Sequence, residues 1–344
     1  MPTCRGLPIF EATPINVLIA SMELLRVSQV SKEQALLDVS FTQQHFQNLA
    51  IAGETGSGKS TLLRIIAGLV QPDTGKVHFE GVRVQGPLET LIPGHRGIAY
   101  LSQHFELRHH YTVAEVLSYA NTLSESEAQT LFEVCQISHL LGRRTDQLSG
   151  GEAQRIALCR LLITAPRLLL LDEPFSNGDA VHKALLKTVI HDIGEQLDIT
   201  CIMVSHDPQD VLSWAHDIIV LCNGRVVQQG SPKEVYGQPA DEYTAGLFGT
   251  YNRIPFAAAA SFSTLPGLTS KGKDLLIRPE GFKLTGKAPG SIAGKVVRVR
   301  FFGPYYELDV LVGETRIVMR TDSHAFHKGD TVYLWVEPES VWFL

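Results

Sequence analysis

The segment Gly53–Thr61, which reads GETGSGKST, constrains this chain more than any other stretch. It matches the pattern G-x-x-x-x-G-K-[ST], in which glycines let successive backbone N–H groups point at one anion. A short apolar strand, Asn48–Ala52, is predicted before the segment, and an apolar helix after it at Leu62–Ala67. A strand, a glycine-rich turn and a helix N-terminus together predict a phosphate-binding loop. The alternative is a plain Gly/Ser turn without a ligand.

The phosphate-binding loop gives its residues defined roles. Its nucleotide-binding residues are predicted to be Gly53, Glu54, Thr55, Gly56, Ser57, Gly58, Lys59, Ser60 and Thr61. Lys59 is expected to reach the β- and γ-phosphates of a nucleotide, and the Ser60 hydroxyl is expected to bind Mg²⁺.

Length and charge limit the classes of protein to which this chain can belong. Its 344 residues are 44% hydrophobic and 19% charged, with a net charge of −6. This length predicts two domains, and the absence of a basic block argues against nucleic acid as the main partner. The five scattered cysteines predict reduced thiols in a cytosolic protein. No apolar run approaches the roughly 20 residues of a membrane helix, so any link to a membrane is expected to go through a partner.

Four segments differ in their sequence pattern. Residues 1–21 are expected to be an N-terminal extension, a translated upstream stretch rather than the start of the fold. Residues 22–250 alternate strands with helices, which predicts a mostly parallel sheet with a helical subdomain at about 104–160. Residues 251–270 are predicted to be a linker. Residues 271–344 carry five short predicted strands, which favours a small β-barrel of the oligomer-binding (OB) type.

Four further motifs follow the loop in the sequence. They are a glutamine that ends a predicted strand (Gln103), a helix start that reads LSGGEAQ (Leu148–Gln154), four leucines before two acids (Leu168–Glu173), and a histidine that ends the next predicted strand (His206). In this order the motifs resemble those of the ATP-binding cassette (ABC) family, over about residues 22–250. The resemblance implies a P-loop α/β nucleoside triphosphatase that binds ATP and Mg²⁺, with a helical insert.

The C-terminal segment carries a resemblance of its own. From about Lys271, and including Ile277-Arg278-Pro279-Glu280, the sequence resembles the OB-like barrel called TOBE, which is appended to several importer ATPases. A role for this domain in sensing solute or in stabilising a dimer rests on that analogy alone.

The resemblance and the position of each motif imply chemistry for single residues. Asp172, at the end of a buried strand, is expected to hold the water shell of Mg²⁺, with Ser60 and Gln103 as further metal contacts. Glu173 is placed to take a proton from the attacking water, and its alternative is a merely solvated strand-end acid. His206 is expected to reach the same γ-phosphate. The predicted catalytic residues are Glu173, His206 and Gln103.

The LSGGE segment implies a dimer. Ser149 begins a predicted helix, which makes a second anion site, and the spacing to Glu152 also satisfies the capping-box rule. In the ABC family this segment of one chain closes on the nucleotide of another chain. The residues implied to act across such a head-to-tail dimer are Ser149, Gly151, Glu152 and Asp179. The partner is either a second copy of this chain or a different ABC ATPase.

Two positions depart from the family pattern. The stretch Ser28–Gln34 has no aromatic residue that could stack on adenine, which predicts weak discrimination between ATP and GTP. Gly178 stands where the family has an apolar residue, so the backbone beside Asp179 has more freedom.

The resemblance implies a function: an ATP-hydrolysing subunit that energises solute uptake by a membrane ABC importer. Its implied partners are integral-membrane permease subunits, contacted near His104-Phe105-Glu106-Leu107, and indirectly a periplasmic or extracellular solute-binding protein. The subunit would act peripherally, at the cytoplasmic face of the membrane. The alternatives are a soluble ABC ATPase that acts on nucleic acid or the ribosome, and a nucleic-acid module in the C-terminal barrel.

Overall fold

The computed structural model describes residues 23–103, 107–108, 110–176, 180–262 and 272–343. Some predictions fall outside these residues, wholly or in part: the extension of residues 1–21, the permease contact at residues 104–107, the backbone freedom at Gly178 and the role of Asp179. Within the described residues the chain is α/β up to about residue 250 and rich in β-strands after it.

A six-stranded sheet forms the centre of the α/β region, with the strand order β10-β9-β3-β8-β7-β6. Its strands are β3 (Leu49–Ala52), β6 (Ile98–Leu101), β7 (Leu168–Asp172), β8 (Thr200–Val204), β9 (Asp217–Cys222) and β10 (Arg225–Gly230). Neighbouring strands are parallel, except that β9 and β10 form an antiparallel hairpin. β7 and β8 are buried along their whole length, as expected of apolar strands covered on both faces. The predicted parallel sheet is confirmed.

Helices lie between and beside these strands. They are α1 (Lys59–Ile66), α2 (Val113–Ser118), α3 (Glu125–Val134), α4 (Gly150–Leu162), α5 (Ala180–Gln196), α6 (Pro208–Trp214), α7 (Pro232–Gly237) and α8 (Glu242–Leu247). α2, α3 and α4 begin with complete capping boxes at Thr112, Ser124 and Ser149, each with the S/T-x-x-E spacing that favours this cap. No helix in the described part of the chain is long and apolar enough to cross a membrane.

Alternate residues of β7 enter two different hydrophobic cores. Leu169 and Leu171 pack with α2–α5, which form the helical side of the molecule. Leu168 and Leu170 pack with α1 and with a second, antiparallel sheet. That sheet has the order β2-β1-β4-β5. Its strands are β1 (Glu23–Lys32), β2 (Leu36–Gln44), β4 (Thr74–Phe79) and β5 (Val82–Arg83). The strand that ends at Asp172, directly before Glu173, therefore lies between two packed halves.

The C-terminal region folds around its own core as a small OB-like β-barrel. Five strands form a sheet in the order β13-β17-β14-β15-β16, and three more pair as β11-β12-β18. The strands are β11 (Asn252–Ile254), β12 (Leu275–Ile277), β13 (Phe282–Thr285), β14 (Ile292–Phe301), β15 (Tyr306–Val312), β16 (Thr315–Thr321), β17 (Thr331–Val336) and β18 (Val341–Phe343). The Asn252 amide joins the two sheets, because it donates to Val318 O at 2.8 Å and accepts from Val318 N at 2.6 Å.

The predicted linker of residues 251–270 is wrong in its first part. Asn252–Ile254 forms β11, which pairs with β12, and Phe262 is fully buried in the C-terminal core. A three-residue strand has too few positions to show an alternating pattern, and the alanines that follow it resemble a linker in composition. These residues belong to the barrel because their partners lie beyond residue 272 in the sequence.

Candidate functional site

The phosphate-binding loop lies between the end of β3 and the start of α1, where the sequence placed it. Gly58 has φ 103°, and a Cβ atom there would lie 2.2 Å from the carbonyl oxygen of Ala35 in the β1–β2 turn. Gly56 has φ 86° and open space around it. Both positions need glycine, because side chains rarely adopt this backbone conformation and at Gly58 no space exists for one.

The start of α1 is not capped by the protein itself. Its N-cap residue is Gly58, no side chain caps the helix, and its first turn carries no acid. The Ser57 hydroxyl is buried and has no hydrogen-bond partner. Unsatisfied donors at a helix N-terminus, where the helix dipole is positive, attract an anion. The loop therefore fits the phosphates of a nucleotide.

The Lys59 amine is buried beside this helix start. It donates to Gly53 O at 2.7 Å and to Glu54 O at 2.8 Å. Burial lowers the pKa of Lys59, and the negative charges of Glu173 and Asp172 oppose this effect. A desolvated cation held at the loop is suited to binding phosphate oxygens.

Asp172 is held through both of its carboxylate oxygens. The Ser60 hydroxyl donates to Oδ1 at 2.9 Å, and the Tyr100 hydroxyl donates to Oδ2 at 2.8 Å. Arg64 Nε donates to the Tyr100 hydroxyl at 3.3 Å, and burial raises the pKa of Tyr100 to about 12. The Ser60 and Asp172 oxygens form a pair of hard ligands, which suits Mg²⁺ because this ion takes one or two protein oxygens and completes its shell with water and phosphate.

Glu173 and His206 meet at the carboxyl end of the sheet. His206 Nδ1 is within hydrogen-bond contact of Glu173 Oε2. Glu173 has φ 53°, an uncommon conformation for a residue other than glycine, and its N–H donates to Val204 O at 3.0 Å. The Ser176 hydroxyl donates to the Glu173 carbonyl at 2.9 Å. Gln103 Nε2 lies 3.5 Å from the Ser176 hydroxyl. Strained backbone of this kind is concentrated at functional sites.

The predicted catalytic residues and most of the predicted loop residues line one cavity, while Gly53, Glu54 and Ser57 do not. Its volume is about 410 Å³. The lining residues are Ala35, Thr55, Gly56, Gly58, Lys59, Ser60, Thr61, Gln103, Glu173 and His206. Asp172 is buried below it, where it contacts Ser60. Residues that are as distant in the sequence as Ala35 and His206 thus line the same cavity.

The LSGGE residues do not line this cavity. Ser149 is the exposed N-cap of α4, and its side chain accepts the Glu152 N–H, while the Glu152 carboxylate accepts the Ser149 N–H at 2.8 Å. A Cβ atom on Gly151 would lie 2.3 Å from the ring of His182. The segment therefore forms a separate, exposed helix start within the chain.

Three residues of the site were missed from the sequence. Ala35 lines the cavity, Tyr100 holds Asp172, and the Tyr243 hydroxyl accepts the Glu54 N–H at 2.9 Å. Tyr100 lies in a predicted strand that ends near Gln103, which was the one available signal. Tyr243 lies 189 positions from Glu54, and no local pattern connects them.

The fold and the site define a P-loop nucleoside triphosphatase. The family profile described as ABC transporter matches residues 36–176, and the profile described as TOBE domain matches residues 275–344. The match of the second profile agrees with the C-terminal barrel.

Relatives match the chain along most of its length. The sulfate/thiosulfate import ATP-binding protein CysA of Gloeobacter violaceus is 33% identical over 313 residues, which cover 87% of this chain and 89% of the relative. The molybdate/tungstate import ATP-binding protein WtpC of Pyrococcus abyssi is 33% identical over 313 residues, covering 84% and 90%. The solved structure of cbiO1 from Clostridium perfringens, part of the ABC transporter complex cbiONQ, is similar with a TM-score of 0.54 and 25% identity, covering 62% of this chain and 90% of that chain.

The chain belongs to the ABC transporter family. It is an ATP-binding, ATP-hydrolysing subunit of the import type with a C-terminal TOBE domain, as the order of its motifs predicted. Both of these relatives are import ATP-binding proteins, which favours the importer over the nucleic-acid alternatives.

Proposed function

We propose that the chain energises solute import as one half of a head-to-tail dimer. ATP binding closes the two halves, with the phosphate-binding loop of one chain and Ser149, Gly151 and Glu152 of the other on the same nucleotide. Hydrolysis then reopens them. The observation that carries this proposal is the geometry of the cavity: it is lined by loop-side residues, while the exposed start of α4 lies outside it.

Within each half, different residues around the cavity bind the phosphates and the metal ion. The backbone amides of the loop and the Lys59 amine bind the phosphates of ATP. Ser60 and Asp172 would hold Mg²⁺, with Gln103 at its edge, and the ion when bound neutralises charge on the phosphates. Support comes from the Ser60–Asp172 hydrogen bond of 2.9 Å and from the unpartnered Ser57 hydroxyl.

Glu173 acts as the general base in this proposal. Its carboxylate faces the cavity and takes a proton from the attacking water. His206 is in contact with that carboxylate and orients it, while Val204 O and the Ser176 hydroxyl hold the Glu173 backbone. Gln103, whose Nε2 atom lies 3.5 Å from the Ser176 hydroxyl, contacts the metal or the water.

The proposed setting is a membrane complex. The chain works at the cytoplasmic face, bound to integral-membrane permease subunits and indirectly to a solute-binding protein. Support comes from the import ATP-binding proteins that match the chain. The second half of the dimer is a copy of this chain or another ABC ATPase.

A mixing experiment tests the head-to-tail arrangement. One chain carries Lys59→Met, which removes the loop cation, and the other carries Ser149→Asp, which keeps a capping side chain but places a negative charge at the proposed phosphate site. Both carry Glu173→Gln, so that ATP is retained and not turned over. The readout is labelled ATP that stays with the protein during gel filtration. Each variant alone should retain little ATP.

Mixing the two variants should restore retention, because about half of the dimers then have one site with an intact loop and an intact Ser149. If loop and Ser149 worked within one chain, the mixture would retain no more ATP than either variant. Ser149→Thr is the matched control, since it keeps both the cap and the hydroxyl, and it should retain ATP without mixing.

A further inference from the structure

Helix α8 (Glu242–Leu247) contacts the phosphate-binding loop through one hydroxyl group. The Tyr243 hydroxyl accepts the Glu54 N–H at 2.9 Å and donates to the Leu221 carbonyl at 3.1 Å. Glu54 is the residue after the first glycine of the loop, and Leu221 lies in β9, next to β3. The hydroxyl thus joins the start of the loop to the neighbouring strand, from an element that lies outside the nucleotide cavity.

The state of this hydroxyl is fixed by its surroundings. Tyr243 is half-buried, and burial raises its pKa above the usual range of a phenol. The group therefore keeps its proton at neutral pH. It can donate to Leu221 O and accept from Glu54 N–H at the same time, which uses both of its hydrogen-bonding functions.

The other side of α8 is held by the C-terminal domain. Arg278, which follows β12, is only 6% exposed, and its Nη1 atom donates to Ala245 O and to Gly249 O, each at 2.9 Å. Its Nη2 atom donates to Tyr236 O at 3.0 Å, and the guanidinium lies 4.3 Å from the centroid of the Tyr236 ring. Charged donors to carbonyl groups make strong hydrogen bonds, so this buried cation fixes α8 to the barrel.

Further contacts strengthen the same attachment. The Tyr236 hydroxyl is hydrogen-bonded to Glu280, and Glu280 pairs with Arg320 at 3.4 Å. The Trp342 indole donates to Pro239 O at 2.9 Å. The segment from α7 to α8 is therefore bound to the barrel at both of its ends.

We propose that Tyr243 is a positioning residue of the phosphate-binding loop and that α8 couples this loop to the C-terminal domain. Tyr243 and Ala245 lie within one turn of a six-residue helix, so a displacement of the Ala245 carbonyl moves the Tyr243 hydroxyl with it. The loop then holds its phosphate-binding conformation only while the barrel holds α8. This inference rests on the proposed role of the loop, but the amide of Glu54 reports on it without any nucleotide.

The first test uses Tyr243→Phe, which removes only the hydroxyl. Hydrogen exchange at single-residue resolution, without nucleotide, should show the Glu54 amide exchanging about tenfold faster, the effect of losing one hydrogen bond. The KM for ATP should rise about threefold to tenfold, with kcat changed by less than about twofold. Tyr251→Phe is the matched control, because the Tyr251 ring lies beside Gly246 of the same helix, and it should change neither value.

Unchanged exchange at Glu54 in Tyr243→Phe would overturn the positioning role, whatever the activity. Faster exchange with an unchanged KM would retain the contact but contradict the proposed role of the loop in nucleotide binding. A fall in kcat at constant KM would also overturn the positioning role, because it would place Tyr243 in the chemical step.

The second test asks whether the C-terminal domain reaches the loop through α8. Arg278→Lys keeps the charge but loses the fork of donors, and it should accelerate exchange of the Glu54 amide about threefold or more. In the Tyr243→Phe background, Arg278→Lys should not accelerate exchange of the Glu54 amide further, since the hydrogen bond from the loop to α8 is already absent. Equal acceleration in both backgrounds, or none in either, would overturn the coupling. If Arg278→Lys does not fold, Trp342→Phe serves as the second variant, with the same expectations.

Discussion

The two helices that carry the anion-binding motifs begin in opposite ways. α1 begins at Gly58 with no side-chain cap and no acid in its first turn. α4 begins at Ser149 with a complete capping box formed by Glu152. Arg143 also pairs with the Glu152 carboxylate at 3.3 Å. Both helices carry glycine and serine at their start, but only the first leaves its amides for a ligand.

This difference is consistent with the proposal that one site is formed within the chain and the other between two chains. The N–H groups at the start of α1 have no side-chain cap, so a phosphate can satisfy them directly. In α4 the carboxylate of Glu152 already occupies the helix start, and the Ser149 N–H lowers the pKa of that carboxylate, which stays ionised at neutral pH. In the proposed dimer, a phosphate bound to the other chain would have to compete with this internal cap.

The largest expected effect is on the α1 side, where the chemistry is proposed to lie. Glu173→Gln removes the general base and should lower ATP hydrolysis by about a hundredfold or more, with nucleotide binding kept. Phosphate release and ATP binding are measured on the same preparation. A variant that hydrolyses ATP at the normal rate would show that the α1 side does not supply the base.

A smaller effect is expected where Tyr100 holds Asp172. Tyr100→Phe frees Asp172 Oδ2 from its donor, so the carboxylate is less well oriented, and the Mg²⁺ concentration for half-maximal ATP binding should rise up to about tenfold. Tyr119→Phe is the control, because Tyr119 is 73% exposed. An unchanged Mg²⁺ requirement in Tyr100→Phe would restrict the metal site to Ser60 and Asp172 Oδ1.

The comparison of the two helix starts is sharpened by Glu152→Gln. Glutamine can still complete a capping box but carries no charge, so the ATP-dependent dimer should form about threefold to fivefold more tightly. The dissociation constant is measured by sedimentation in the Glu173→Gln background. Weaker dimers would mean that the Glu152 charge helps the contact, through a cation of the other chain.

The smallest expected effect concerns the base of the nucleotide. In the proposed site the phosphates are held by backbone amides and Lys59. The turn before the loop offers no aromatic ring at Ser28–Gln34, and Ala35 is its residue that lines the cavity. Aromatic stacking would contribute about 1–3 kcal/mol, and without it GTP should compete with ATP within about threefold. A preference for ATP of more than about thirtyfold would reveal a base contact that this turn does not explain.

The sequence predicted features that depend on neighbours along the chain. The phosphate-binding loop, the buried β7 and the capping boxes at Thr112, Ser124 and Ser149 each follow from residues within a few positions of one another. The order of these motifs was enough to identify the family. Local chemistry decided these structures, and tertiary contacts did not override it.

The sequence did not predict features that join distant segments. Tyr100 and Asp172 lie 72 positions apart, and Tyr243 and Glu54 lie 189 positions apart, so only the folded chain brings them together. β11 and β18 have three residues each, which is too short for an alternating pattern. Sequence reasoning therefore misses residues such as Tyr100 and Tyr243, which hydrogen-bond to the site residues from distant parts of the sequence.

β7 has one further consequence. It contributes leucines to two separate cores, and it ends at Asp172, directly before Glu173. The half that contains α2–α5 and the half that contains the phosphate-binding loop share this strand. A tilt of one half against the other is therefore expected to move the Asp172 and Glu173 carboxylates, so that the distance from the proposed base to the attacking water would change with it.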